Sequence, residues 1–172
     1  RINDVGVIFD LSVHDIDIIN YLSESSVVNV FATGGKHKND LFEDYVNLSL
    51  KYHNGIIGLC ETNWLTPMKV REMHITTDKN YVILNHLNQS LSIGSSKYGD
   101  IDSSNLFKVP IDFDLKQVKL LQKEPLLVEI EDFLASIIES KLPLVDGLAG
   151  LEAVRVAEAC CNSLQENALI SL

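Results

Sequence analysis

The feature that most limits how this chain can fold is an alternating apolar segment followed by a tight turn. Between Tyr45 and Tyr52, apolar and polar side chains alternate, which predicts a strand with one buried face. Asn54-Gly55 follows at once, a pair that favours the positive φ angles of a type I′ hairpin turn. A return strand is predicted over residues 56–65, before Thr66-Pro67 ends it. The chain therefore contains an antiparallel hairpin.

Further strands and helices are predicted on both sides of this hairpin. The apolar, β-branched segment 5–9 is interpreted as a buried strand, and apolar residues at helical spacing predict a helix over residues 12–22. Further strands are predicted over residues 27–33, 69–77, 81–87 and 89–93, and an exposed loop over residues 94–105, which are rich in Ser, Gly and Asp.

Two helices are predicted to close the chain. The first begins at Pro125 and ends before Pro143. The second is capped by Asp146, and its predicted apolar face consists of Leu148, Leu151, Val154, Ala157 and Cys161. This order of elements predicts an α+β fold, a mostly antiparallel open sheet with helices on one face. The other sheet face, with residues such as Trp64 or Val70, would be free for oligomerisation, so we expect a homo-oligomer.

Composition narrows the class of protein and of partner. The chain has 172 residues, a formal net charge of -10 and 46% hydrophobic residues, which suits one domain with a substantial core. The acidic balance disfavours a nucleic-acid partner. No apolar run is long enough to span a membrane and no signal peptide is visible, so we expect a cytoplasmic protein with reduced cysteines. Because the first residue is Arg1, we expect a piece of a longer protein.

Asp10 and His14 form the first candidate site. They are four residues apart, which places both side chains on one face of a helix. A carboxylate can orient a neighbouring imidazole and raise its basicity. The imidazole can then remove a proton from a sugar hydroxyl while a hydride leaves the same carbon. The alternative is that Asp10 caps the helix and His14 is structural. A metal site is not expected, because the neighbouring Asp15 and Asp17 would point in other directions.

Trp64, Lys69 and Arg71 form a second candidate, for substrate binding. Lys69 and Arg71 would share one face of the strand predicted over residues 69–77. The two cations could hold a pyrophosphate, and the aromatic ring could stack on a base or a sugar. The alternative is an exposed strand whose cations pair with carboxylates. No glycine-rich phosphate loop is present, so no cofactor-binding residue is expected in this chain.

Two parts of the sequence resemble the second domain of the Gfo/Idh/MocA oxidoreductases, the family of glucose-fructose oxidoreductase and inositol dehydrogenase. Gly6, Asp10, His14 and Asp17 match its G-x-x-x-D-x-x-x-H-x-x-D pattern. Residues 124–157 resemble its closing helices, and the resemblance covers nearly the whole chain. Within the family, residues 63–71 are most similar to UDP-N-acetylglucosamine 3-dehydrogenases.

The resemblance implies a function and a missing partner domain. The function would be NAD(P)-dependent dehydrogenation at a hydroxyl of a sugar or nucleotide sugar, with Asp10 and His14 at the family's catalytic positions; the alternative is a non-catalytic sugar-binding or oligomerisation module. The family holds NAD or NADP in an N-terminal Rossmann domain, which this sequence lacks. We therefore expect residues 1–172 to be the C-terminal substrate-binding domain, inactive alone and with no NAD or NADP bound.

Overall fold

The computed structural model describes residues 4–98 and 111–172, and the chain divides into two compact units. One unit comprises Arg1–Pro67 and Asp132–Leu172, and the other Met68–Glu131. Each unit contains one antiparallel four-stranded sheet, with strand order β3-β2-β1-β8 in the first and β4-β5-β6-β7 in the second. The predicted α+β class is confirmed, with the strands divided between two sheets.

The helices and strands of the described residues are as follows. A π-helical segment, Ile8–Ser12, continues directly into α1 (Val13–Ser23), and two later helices are α2 (Pro125–Glu139) and α3 (Gly147–Glu166). The strands are β1 (Val27–Gly35), β2 (Tyr45–Tyr52), β3 (Ile57–Asn63), β4 (Glu72–Thr76), β5 (Asn80–Asn85), β6 (Ser90–Tyr98), β7 (Ile111–Val118) and β8 (Ile170–Ser171).

The predicted hairpin is present as β2 and β3, with Tyr45 opposite Asn63 and Lys51 opposite Ile57. Its turn differs from the prediction, because Gly55 has a φ of 89° and Asn54 is not among the residues with positive φ. The amide of Gly55 donates to the carbonyl of Tyr52 at 3.0 Å. The connection is thus a three-residue loop closed by a left-handed glycine, and the type I′ assignment is wrong.

The first sheet is covered on one face by the π segment, α1 and α3. Alternate strand residues point into this core, among them Val30, Leu48 and Leu50, each at most 2% exposed. Phe31, Ile57 and Leu59 belong to the opposite face, where Leu59 is 75% exposed. One face of the first sheet is therefore buried by helices, and the other carries exposed apolar side chains.

Helix α3 begins as predicted but buries a different face. The Asp146 carboxylate accepts hydrogen bonds from the amides of Leu148 and Ala149, both at 3.0 Å, which confirms the predicted cap. The predicted apolar face is wrong in part, because Leu148 and Leu151 are exposed, whereas Ala157 is buried as predicted. The residues that α3 buries are mostly small: Ala153, Val156, Ala157, Ala159, Cys160 and Ser163. Small side chains let a helix axis lie close to its neighbour, which explains this choice of face.

Segment 5–9 is not a strand, and the prediction of one there is wrong. The helix has already begun, because the amide of Asp10 donates to the carbonyl of Gly6 at 3.1 Å. Val7 and Ile8 are both fully buried. A short apolar run that is buried on all sides has no periodicity to distinguish a strand from a helix.

Two other strand boundaries differ from the predictions, and two strands were not predicted. β4 begins at Glu72, so Lys69 and Arg71 precede the strand. Gly94 belongs to β6, so the predicted loop over residues 94–105 starts within a strand, and its remainder from residue 99 lies outside the described residues. β7 and β8 were not predicted, although the sequence of β7, IDFDLKQV, alternates clearly.

The large apolar side chains of α2 are exposed in this structure. The helix begins at Pro125 as expected. Its large apolar residues are between 40% and 81% exposed: Leu126, Leu127, Val128, Ile130, Phe133, Leu134, Ile137 and Ile138. In the part of the chain that the structure describes, no helix has the length and apolarity needed to cross a membrane.

Candidate functional site

Asp10 and Trp64 are brought together from distant parts of the sequence. The indole Nε1–H of Trp64 donates to Oδ2 of Asp10 at 2.8 Å, and both side chains are half-buried. The hydroxyl groups of Ser12, two residues after Asp10, and of Thr62, two residues before Trp64, form a buried hydrogen bond. These two contacts fix the π segment against the end of β3.

The helix is π-helical at Asp10 and α-helical at His14. The amide of Val13 donates to the carbonyl of Ile8, five residues earlier. Such π segments occur frequently at functional sites, and their wider turn changes the angle between side chains four residues apart. His14 is exposed at the start of α1, and among the described residues no hydrogen bond or ion pair joins it to Asp10. The structure thus joins Asp10 to Trp64 but not to His14.

Trp64 is held in place by the turn that follows β3. The side-chain oxygen of Asn63 accepts hydrogen bonds from the amides of Leu65 and Thr66, at 2.9 and 2.7 Å. It also accepts one from the Thr66 hydroxyl, at 2.8 Å. The backbone amide of Trp64 donates to the carbonyl of Asp44 at 2.9 Å. This Asx turn gives the predicted segment 63–67 a structural role, since it sets the direction of the indole.

Glu43 closes the start of the helix and explains the glycine of the sequence pattern. Its carbonyl accepts the amide of Val7 at 3.0 Å, and its carboxylate accepts the amide of Ile8 at 3.1 Å. A carboxylate in this position satisfies an unpaired amide and complements the helix dipole. A Cβ atom at Gly6 would lie 2.0 Å from Oε1 of Glu43. Only glycine leaves room for this carboxylate.

Asp44 is a buried carboxylate directly behind the site, with 2% exposure. Its oxygens accept the backbone amides of His37, Lys38 and Asn39 at 2.8, 2.6 and 3.1 Å. Burial by itself would raise the pKa of Asp44, but the hydrogen bonds from Lys38, His37 and Asn39 together outweigh it and hold the pKa below its usual value. The charged form of Asp44 therefore orders the loop between β1 and β2.

Sequence reasoning did not single out Glu43 or Asp44. They are adjacent acidic residues just before an alternating strand, which is an ordinary place for solvated charges. The only available signal was their position directly ahead of β2 and after the loop that starts at Gly34-Gly35. Their partners lie up to 36 residues away in sequence, as Val7 does from Glu43, so spacing could not reveal them.

Lys69 and Arg71 are not placed as predicted. Both are exposed and belong to the second unit, ahead of β4, so strand alternation does not put them on a shared face. The carbonyl of Arg71 accepts the amide of His86 at 3.0 Å. Neither cation forms an ion pair with a described carboxylate.

The three cysteines are free thiols in environments that suppress ionisation. Burial raises the pKa of Cys60 and of Cys160 to about 12, and that of Cys161 to about 11. A thiol must be deprotonated to act as a nucleophile or a metal ligand, so none of them is suited to either role at neutral pH. Across the described ranges, no group of His, Cys, Asp and Glu side chains is arranged to hold a metal ion.

A shallow depression of about 320 Å³ lies in the first unit, at the ends of β2 and β3. Tyr45, Asn47, Glu61 and Asn63 contribute to its lining, whereas Asp10 and His14 do not. The residues that match the family pattern therefore do not line this depression.

Comparisons with known proteins confirm the predicted relationship. The family model described as the GFO/IDH/MocA C-terminal domain matches residues 2–83. A UDP-N-acetylglucosamine 3-dehydrogenase from Acidithiobacillus ferrooxidans is 28% identical over 154 residues, which are 90% of this chain and 47% of that protein. The chain thus spans about half the length of this curated relative.

Solved structures show the same fold. A structure of the UDP-N-acetylglucosamine 3-dehydrogenase from Acidithiobacillus ferrooxidans has a TM-score of 0.83 at 26% identity, covering 95% of this chain and 50% of that one. An aldose-aldose oxidoreductase from Caulobacter crescentus has a TM-score of 0.77 at 17% identity, covering 98% and 48% respectively. At 17% identity the second likeness shows the shared fold and nothing more.

Proposed function

Because this chain is related to the C-terminal domain of the Gfo/Idh/MocA oxidoreductases, we propose that it is the substrate-binding domain of a dehydrogenase that oxidises a hydroxyl of a nucleotide sugar. UDP-N-acetylglucosamine is the proposed substrate, since the relative described as a UDP-N-acetylglucosamine 3-dehydrogenase aligns with 90% of the chain. The observation that carries the proposal is the helix start containing Asp10 and His14, which the bonds from Trp64 and Glu43 hold in one arrangement.

His14 is proposed as the general acid-base. It is exposed in the first turn of α1, where a substrate hydroxyl could reach its ring. Imidazole can both accept a proton and return it, which oxidation of a hydroxyl and its reversal require. Its four-residue separation from Asp10 spans the change from π to α helix, so the two groups could contact different atoms of one sugar.

Asp10 is proposed to bind a substrate hydroxyl next to the reacting one. Oδ2 is occupied by the indole of Trp64, whereas Oδ1 accepts no hydrogen bond from a described residue. A half-buried carboxylate with one free oxygen is a strong acceptor for a sugar hydroxyl. This geometry favours hydroxyl binding over the alternative in which Asp10 orients His14.

The residues of this chain do not fit a nicotinamide dinucleotide. The sequence has no glycine-rich phosphate loop, and the N-terminus of its first helix is already closed by Glu43. NAD or NADP is therefore proposed to bind to a separate N-terminal Rossmann domain of the same protein.

Substitution of His14 tests this assignment in the protein that includes the proposed nucleotide domain. We expect His14→Ala to lower kcat by about 10²–10⁴-fold, the usual effect of losing a positioned acid-base group, with no change in Tm. His53→Ala is the matched control, because His53 is exposed in the β2–β3 turn. If His14→Ala keeps normal kcat in a folded protein, the non-catalytic module becomes the better account.

A further inference from the structure

Trp64 was predicted to stack against a substrate, but its contacts indicate a different role. We propose that Trp64 is a positioning residue, whose indole N–H fixes the carboxylate of Asp10 for substrate binding. The inference rests on the proposed function of Asp10. It follows from the hydrogen bond of 2.8 Å between Nε1 and Oδ2 and from the restraints on the indole itself.

The indole is restrained from three directions. The backbone amide of Trp64 donates to the carbonyl of Asp44, and the Asx turn of Asn63 fixes the chain just after Trp64. Its ring packs against the buried core of the first unit. A ring held in this way cannot turn to follow a ligand, so it can act as a fixed donor.

The Asp10 carboxylate, which lies in the π-helical segment, depends on such a donor to hold its orientation. In the wider turn of a π segment its side chain lies in a half-buried position, with no other described hydrogen-bond partner. Without the indole, rotation about the side-chain bonds would exchange the two oxygens. With Oδ2 fixed, Oδ1 is presented in one direction, and small errors in the position of a substrate-binding group can lower rates considerably.

The test uses Trp64→Phe in the protein that includes the proposed nucleotide domain. This change keeps an aromatic ring and removes the N–H donor. We expect kcat to fall by about 10- to 100-fold with little change in KM. In an Asp10→Ala background, Trp64→Phe should cause no further loss, because a residue that acts through another has no effect once its partner is absent.

Tyr52→Phe is the matched control. Its hydroxyl donates to Oδ1 of Asn20 at 2.7 Å in the same unit, so the variant also loses one side-chain hydrogen bond. We expect it to keep normal kcat, which separates loss of positioning from general loosening. A stacking role predicts instead that Trp64→Phe is nearly normal and that Trp64→Ala raises KM in both backgrounds. That result would overturn the positioning role.

The same contact can be read without any activity measurement. Trp64 is the only tryptophan among these 172 residues, so their fluorescence, excited at a wavelength that the five tyrosines do not absorb, reports its surroundings. We expect Asp10→Ala to shift the Trp64 emission, and unchanged emission would contradict the hydrogen bond. If wild-type protein shows no dehydrogenase activity, the proposed function fails and the positioning role with it. If it is active and Trp64→Phe keeps full kcat, the positioning role alone is wrong.

Discussion

Asp44 shows how much of this site depends on one buried charge. Its carboxylate binds three consecutive backbone amides, and its carbonyl binds the amide of Trp64. A network of this kind orders the loop of residues 36–43 and the indole together. Loss of the charge would weaken these partly buried hydrogen bonds to a residue that is itself buried, which is costly.

We expect Asp44→Asn to lower the free energy of unfolding by about 1–3 kcal/mol at neutral pH. The pKa of Asp44 is lowered on folding, so its contribution is present above the pKa of the unfolded chain and is lost as pH falls through the folded value. The difference between wild type and variant should therefore shrink in acid. Urea unfolding at neutral and acidic pH measures this.

Asp40→Asn is a suitable control, because Asp40 is an exposed residue of the same loop. It should leave the stability nearly unchanged at both pH values. An equal loss for Asp44→Asn at neutral and acidic pH would mean that the charge itself is not responsible.

At the scale of single residues, sequence patterns gave Asp10, His14 and Trp64 as candidates but did not predict that Trp64 contacts Asp10. Asp10 and His14 follow from the match to a family pattern. The bond from Trp64 joins residues 54 apart, and the one from Glu43 joins residues 35 apart. Contacts of this length depend on how the elements pack, so no local spacing predicts them.

At the scale of helices and strands, prediction was accurate where one face is buried and the other exposed. The strands β1 and β2 and the starts of α2 and α3 agree closely with the expectations from alternation and capping. The π segment was missed because the short apolar run that leads into it, residues 5–9, has no periodicity that separates a strand from a helix. The buried face of α3 was predicted only in part, because the pattern gave weight to large apolar residues, whereas small residues such as Ala153 and Ala159 pack inside.

The edge of the first sheet illustrates another limit of prediction. β8 pairs with β1 only at Asn29 and Val30. Beyond that point the amide of Ala32 donates to the hydroxyl of Ser163 at 2.9 Å, which in turn donates to the carbonyl of Ala168 at 2.6 Å. The Ser163 side chain of α3 thus accepts a hydrogen bond from β1 that a neighbouring strand would otherwise accept. Such a substitution for a ladder hydrogen bond satisfies a buried amide but has no signature in sequence.

At the scale of the whole molecule, the exposed face of the first sheet is proposed to bind a second copy of the chain. Among the described residues of the first unit, the helices pack on the other face, and exposed apolar side chains favour association. We expect Leu59→Lys to shift the protein toward monomer, since Leu59 is 75% exposed on this face. Analytical ultracentrifugation at micromolar concentration measures the change.

Leu41→Lys is the control for this substitution, because Leu41 is 67% exposed but lies in the loop before β2. It should not alter the sedimentation of the wild-type assembly. A wild-type protein that sediments as a monomer, or a Leu59→Lys variant that stays assembled, would contradict association through this face.

We propose that this chain presents a nucleotide sugar for oxidation. The most direct measurement is the formation of reduced nicotinamide when the protein with its proposed nucleotide domain is mixed with UDP-N-acetylglucosamine and NAD or NADP. We predict turnover that depends on both components and is faster with UDP-N-acetylglucosamine than with free glucose or inositol. A folded protein that reduces neither cofactor with any of these substrates would contradict the account.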